Sequence, residues 1–161
     1  MQKKPLNDNF VFCNFSNLEH CQRLVELINH YKLDPMGGES QSLSETQAID
    51  LVNGLASHSS CFVLFVLYDG RIVGLATCFM NFSTFCAKPY INIHDIIIER
   101  EYRGKGLGRT LLEKIISLAQ EQNYCKVNLE VRDDNISAKQ LYASLGFQDT
   151  TPRMLFWTKM L

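Results

Sequence analysis

The sequence predicts an α+β (mixed α/β) domain built on a twisted mixed sheet. Three observations lead there. Apolar runs at residues 61–68 and 71–82 flank Asp69-Gly70, the strongest short hairpin signal in the chain. Helical spacing of apolar residues returns four times, first at Leu18, Cys21, Leu24, Val25, Leu27 and Ile28. Finally, a near-continuous apolar strand at 90–99 leads through a glycine stretch into a helix and then another strand at 126–131. A right-handed crossover makes those two strands parallel.

The elements follow in order. FVFCNF at 10–15 alternates and is aromatic-rich, so it reads as a first strand. Asn17 opens a helix that ends near Tyr31, and LDPMGGES forms a loop. Ser44-Glu45-Thr46-Gln47 is a capping-box pattern ahead of a second helix to about Ser57. After the hairpin, Gly74 marks a bulge or a close backbone approach. Residues 86–89 form a loop, and 106–122 a third helix. Asp133-Asp134-Asn135 caps a fourth helix closed by Gly146, and residue 147 and residues 154–159 read as two last short strands. The sum is about six to seven strands flanked by about four helices. A chain of 161 residues fits a single domain, 1–161.

Composition narrows the function. With 46% hydrophobic and 20% charged residues and a net charge of −1, no basic footprint for nucleic acid appears. The six cysteines form no C-x-x-C pair, so no metal is expected. Most lie in apolar runs, as buried thiols in a reducing compartment would, and Cys86 alone falls in a loop-like stretch. MQKKPLNDNF lacks a signal-peptide core, and CFVLFVLY is too short to span a bilayer. The expectation is a cytoplasmic protein that uses no membrane.

The stretch EYRGKGLGRT, residues 101–110, carries the chemistry. A helix N-terminus has unpaired N–H groups and partial positive charge. Glycines before it let a ligand touch the backbone, so an anion can be cupped there. Arg103, Lys105 and Arg109 add cationic charge. The Walker pattern is absent, and G-x-G-x-x-G fails because its third glycine would fall on Arg109 or Leu111. R-x-x-G-x-G fits, as Arg103, Gly106 and Gly108.

That stretch resembles the acetyl-CoA pyrophosphate loop of the GNAT superfamily of N-acetyltransferases. VRDDNISAKQLYASLGF resembles the second half of the same signature, through Asn135, Ala138, Tyr142, Gly146 and Phe147. The resemblance implies the GNAT-type acyl-CoA N-acyltransferase fold, acetyl-CoA as cosubstrate, and a cofactor-binding set. In that set Ile96, Ile97 and Ile98 meet the pantetheine arm, with the backbone of Ile96 and Ile98 acting as an added strand. Arg103, Gly104, Lys105, Gly106, Leu107, Gly108 and Arg109 hold the pyrophosphate, and Asn135 and Ala138 complete the set. Tyr142 would stand near the thioester sulfur as general acid.

His94 occupies the position where several relatives carry a glutamate base, and a histidine suits base work near neutrality. Strand alternation puts it on a face with Asn92, Ile96 and Ile98, with Asp95 opposite. The acceptor is expected by the loop after the first helix, where Tyr31, Asp34 and Glu39 lie and the acids would attract a cationic amine. The reaction expected is acetyl transfer from acetyl-CoA to a primary amine of a small molecule by direct attack in a ternary complex. The alternatives are a protein or peptide amine as acceptor, or a non-catalytic CoA-binding module. Family members are often dimers, so a homodimer is allowed.

Overall fold

All four helices and the first five strands of the sequence reading are present in the structure, a computed structural model that describes residues 9–161. The stretch read for a targeting signal lies mostly at residues 1–8, outside the described residues. Two units make up the chain, one running to Glu130 and one from Val131 to Leu161. In the first, β1 (Phe10–Phe12), α1 (Leu18–Lys32) and α2 (Glu45–Ser57) precede β2 (Cys61–Tyr68), β3 (Arg71–Ser83) and β4 (Lys88–Ile98). A 3-10 turn (Arg100–Tyr102), α3 (Leu107–Glu121) and β5 (Val127–Leu129) complete it. The second unit holds α4 (Ile136–Ser144).

The sheet has five strands in the order β1-β2-β3-β4-β5. The first four pair antiparallel, and β4 pairs parallel with β5, as the crossover requires. Five is fewer than the six to seven strands expected. Residues 147 and 154–159 form no strand, because no ladder partner meets them among the described residues. The apolar run Met154 to Trp157 stays exposed, Trp157 at 86%.

Helices cover both faces of the sheet. Leu24 and Leu27 of α1 pack with Val63, Phe65, Ile72, Leu75 and Ile97. Alternation along the strands turns Leu64 and Ala76 to the opposite face. There α3, which also meets β2, β3 and β4, buries Leu111, Leu112, Ile115 and Ala119. Burial on both faces explains why β2 and β3 read as nearly continuous apolar runs.

Two bulges interrupt the ladders. Val66 pairs with Gly74 and Leu67 with Ile72, so Val73 is the extra residue. A Cβ on Gly74 would lie 2.5 Å from the Ile97 carbonyl oxygen, which fixes glycine there. The second bulge corrects the expected face assignment. Thr77 pairs with Asp95 and Cys78 with Ile93, leaving His94 as the extra residue. The alternation therefore resets at His94. Through their β3 partners, Ile96 and Ile98 share a face with Ile91 and Ile93, while Asn92 shares one with Asp95 and Ile97.

Candidate active site

The glycine stretch folds as its composition demands. Gly104 and Gly106 take φ of 76° and 83°, a region that side chains with a Cβ rarely adopt. Neither would meet another atom within 4 Å if a Cβ were added, so the space beside them is open. Gly106 is the N-cap of α3, and no side chain caps the helix. The first helical hydrogen bond runs from Thr110 N–H to the Gly106 carbonyl at 3.0 Å. The amides of Leu107 and Gly108 thus head the helix dipole with no capping oxygen in front of them.

Beside this opening, β4 offers a free edge. Its pairing with β5 covers only Ile91–Ile93 against Val127–Leu129. Glu99 N–H still bonds the Val73 carbonyl of β3 at 2.9 Å. Alternation then aims the backbone groups of Ile96 and Ile98 away from β3, toward an edge that no described strand occupies. The Ile98 carbonyl accepts a hydrogen bond from Arg103 Nε at 3.0 Å.

The cations of the loop are arranged differently from the expectation that all face an anion. Arg103 bonds Asp34 through its guanidinium at 2.9 Å. Lys105 Nζ lies over the rings of Tyr68 and Tyr102, 4.7 and 4.8 Å from their centroids, a cation–π clamp. Arg109 Nη1 lies 3.8 Å from Glu113, one turn along α3. Each of the three cationic heads thus has a partner within the protein.

Helix α1 grips the turn leading to the loop. Arg23 bonds Glu99 at 2.8 Å, His30 Nε2 accepts the Arg100 N–H at 3.1 Å, and Asp34 holds Arg103. Spacings of seven and then four residues put these groups on one side of the helix and its C-terminal turn. Such partners lie far apart in sequence, and no local motif announces them.

The acceptor loop is tightly built. Gly37 packs so closely on the end of α1 that a Cβ would strike the Tyr31 carbonyl oxygen. The Gly37 and Gly38 amides both donate to the Asp34 carbonyl, at 2.8 and 3.0 Å. In place of the free acid expected for a cationic amine, Asp34 is only 7% exposed at its side chain and already paired. The Met36 N–H, and then the Arg103 guanidinium, hold its carboxyl below the usual carboxylate range. Tyr31 packs against the core cluster, and Glu39 is exposed.

His94 projects from the β4 bulge, exposed, edge-on to Phe79 at 5.7 Å; His58 also meets that ring edge-on, at 5.1 Å. The sequence reading placed the neighbouring Asp95 on the opposite face and gave it no role. Burial raises its pKa, against a smaller opposing effect of nearby His94, and the buried Thr77 hydroxyl opposite it makes no well-formed hydrogen bond. A carboxylate inside an otherwise apolar strand was the available signal.

Asn135, Ala138 and Tyr142 belong to the second unit. Asn135 caps α4, its side-chain oxygen accepting the Ala138 N–H at 3.2 Å, which leaves the amide NH2 to donate elsewhere. Tyr142 is buried, with its ring 6.0 Å from that of Phe147. Gly146, at φ 87°, turns the chain so that Phe147 N–H bonds the Tyr142 carbonyl.

An open cleft of about 510 Å³ lies by the β2–β3 turn, lined by Glu19, His20, Arg23 and Arg71, and it includes neither the glycine stretch nor His94. Among the described residues, no three His, Cys, Asp or Glu side chains gather as a metal site would require. No described helix is long and apolar enough to cross a membrane.

Comparison with known proteins gives a consistent result. The profile of the family described as Acetyltransferase (GNAT) family matches residues 24–147. An N-acetyltransferase of Archaeoglobus fulgidus, described as uncharacterized, is 36% identical over 91 residues, covering 56% of this chain and 62% of the relative. Thialysine N-epsilon-acetyltransferase of Bos taurus is 34% identical over 80 residues, covering 50% of this chain and 46% of the relative. The chain spans about half the length of the curated relatives it matches. An aminoglycoside acetyltransferase from an uncultured soil metagenomic sample, solved in complex with sisomicin, shares the fold. Its TM-score is 0.76 at 14% identity, over 98% of this chain and 100% of that one.

Proposed function

The chain belongs to the acetyltransferase (GNAT) family, and from that premise we propose that it is a single-domain N-acetyltransferase that moves the acetyl group of acetyl-CoA to a primary amine of a small molecule. The observation that carries the reading is the uncapped start of α3 behind two positive-φ glycines. It suits a pyrophosphate, because amides and dipole meet the anion with no Cβ between.

Bound acetyl-CoA supplies the activated acyl carbon; the chain's own residues do the rest. The amides of Gly106, Leu107, Gly108 and Arg109 hold the pyrophosphate. Arg103, Gly104 and Lys105 act chiefly by shaping the loop, the first tied to Asp34 and the last clamped by two tyrosines. The freed edge at Ile96 and Ile98 takes the pantetheine arm as an added strand, with Ile97 anchoring the strand in the core. A backbone N–H near Ile96 stabilises charge on the acyl oxygen. The Asn135 amide and the Ala138 position complete the cofactor contacts.

Tyr142 gives a proton to the departing sulfur, and His94 takes one from the amine. Tyr31 and Glu39 border the acceptor, and Asp34 acts by fixing Arg103. The small-molecule acceptor is supported by the relative named for thialysine; a homodimer and a cytoplasmic site of action belong to the same reading.

Thermal unfolding with acetyl-CoA, CoA, ATP and NADH tests the cosubstrate. Acetyl-CoA at ~100 times its Kd should add about 2.7 kcal/mol of apparent stability. An amine panel read by release of free thiol then identifies the acceptor. A shift with ATP alone, or with no CoA species, would sink the reading.

A further inference from the structure

Two thiols meet at a corner that the proposed reaction does not use. Ser83 pairs with Lys88 across the β3–β4 ladder, so residues 84–87 form a tight turn, with Ala87 at φ 49°. Cys86 sits in that turn, exposed, its N–H donating to Ser83 Oγ at 3.3 Å. Cys125 arrives from the segment between α3 and β5. Its N–H donates to the Pro89 carbonyl at 2.9 Å, and its thiol lies 3.8 Å from the Lys88 carbonyl. The carbonyl that the Cys125 thiol approaches lies two residues beyond Cys86, so the turn and the entry to β5 bring both side chains to one corner, and both sulfurs are free thiols.

The surroundings favour a thiolate at Cys86. The Ser83 hydroxyl, then the Cys125 thiol, and then the Lys126 and Lys88 ammonium groups lower its pKa. Elsewhere burial does the reverse. It pushes the Cys13 thiol up to about 12 and the Cys61 thiol up to about 11, and raises Cys78 further still. A thiolate is the nucleophilic form of cysteine, so oxidation should select this corner.

We infer that Cys86 and Cys125 form a redox-active dithiol, in which Cys86 is the peroxide-reactive sulfur and Cys125 the thiol that resolves it. The Cys86 thiolate attacks one oxygen of a hydroperoxide. An S–O bond forms, the O–O bond breaks, and hydroxide (or alkoxide) leaves. The Cys125 sulfur then attacks the sulfenic sulfur; the S–O bond breaks, its oxygen departs as water with the Cys125 proton, and an S–S bond forms. The two sulfurs give up two electrons and the peroxide accepts them. The product ties the β3–β4 turn to the chain entering β5.

The test uses the full chain, reduced and then freed of reductant. It is treated with equimolar hydrogen peroxide, alkylated, and peptide-mapped by mass spectrometry without reduction. The expected result is a Cys86–Cys125 linked peptide lighter by two hydrogens, with free thiols falling by two per chain and thermal stability rising. Cys125→Ser should instead accumulate a dimedone-reactive sulfenic acid at Cys86 and no link within the chain. Phenylarsine oxide should be retained by the wild type and lost from Cys125→Ser. A different cysteine pair, links only between chains, or Cys86 remaining as alkylatable after peroxide as Cys13 would overturn the inference.

Discussion

Helices α2 and α3 begin in opposite ways. Helix α2 starts at Ser44, whose hydroxyl accepts the Gln47 N–H at 3.2 Å while the Gln47 side chain accepts the Ser44 N–H at 2.9 Å. It satisfies its own first amides. Helix α3 starts at Gly106, with no side chain to do so. A cap contributes ~1 kcal/mol, and α3 forgoes it. Helices α1 and α4 side with α2, capped by Asn17 and Asn135. Local stability is therefore built into three helix starts, and the fourth is left open where glycines clear the approach.

The sharpest way to break this comparison is to give α3 a cap. Gly106→Asp would place a carboxylate over its first amides, and acetyl-CoA affinity should fall at least tenfold, about 1.4 kcal/mol, by calorimetric titration. Gly106→Asn tolerates the positive φ without the charge and should lose less. Next comes the brace behind the loop. Arg103→Gln leaves the Asp34 carboxylate unpaired, and chemical denaturation should register a loss of ~1–2 kcal/mol, discounted because Arg103 is partly exposed.

At the other helix, Ser44→Ala should cost ~1 kcal/mol of stability and leave acetyl-CoA affinity unchanged. If both changes alter affinity alike, the contrast between the two starts has no functional content. Lys105→Ala removes the clamp on Tyr68 and Tyr102 and should cost ~0.5–1 kcal/mol, with a smaller effect on affinity than Gly106→Asp.

The mildest effect concerns pH. The folded pKa of Asp95 is raised by burial. Its contribution to stability is therefore full below the unfolded pKa and is lost as pH rises through the folded one. Asp95→Asn should remove that decline, so the variant gains on the wild type as pH rises from about 4 toward neutrality. An identical pH profile for both would contradict the burial assignment.

What the sequence made legible follows range. The Asp69-Gly70 hairpin, the Ser44 capping box and the glycine start of α3 are local patterns, and each forms where its residues stand. The Arg103–Asp34 pair joins residues 69 apart, so its partner could not be read from either end. The bulge at His94 leaves no composition mark inside INIHDIII, yet it shifts every later side chain to the other face. Residues 154–159 carry a short apolar, aromatic run that reads as a strand, but composition supplies no ladder partner. Tyr142 and Asn135 were found through a motif rather than through physics, since a tyrosine on a helix face is usually packing.

The most direct measurement follows the backbone amides themselves, by 15N-resolved NMR of the wild type titrated with acetyl-CoA. The account expects the Leu107 and Gly108 resonances to move in saturable fashion, with those of Ile96 and Ile98, while Glu45–Gln47 at the capped start of α2 stay in place. Binding that moves the α2 amides and leaves Leu107 and Gly108 still would contradict it.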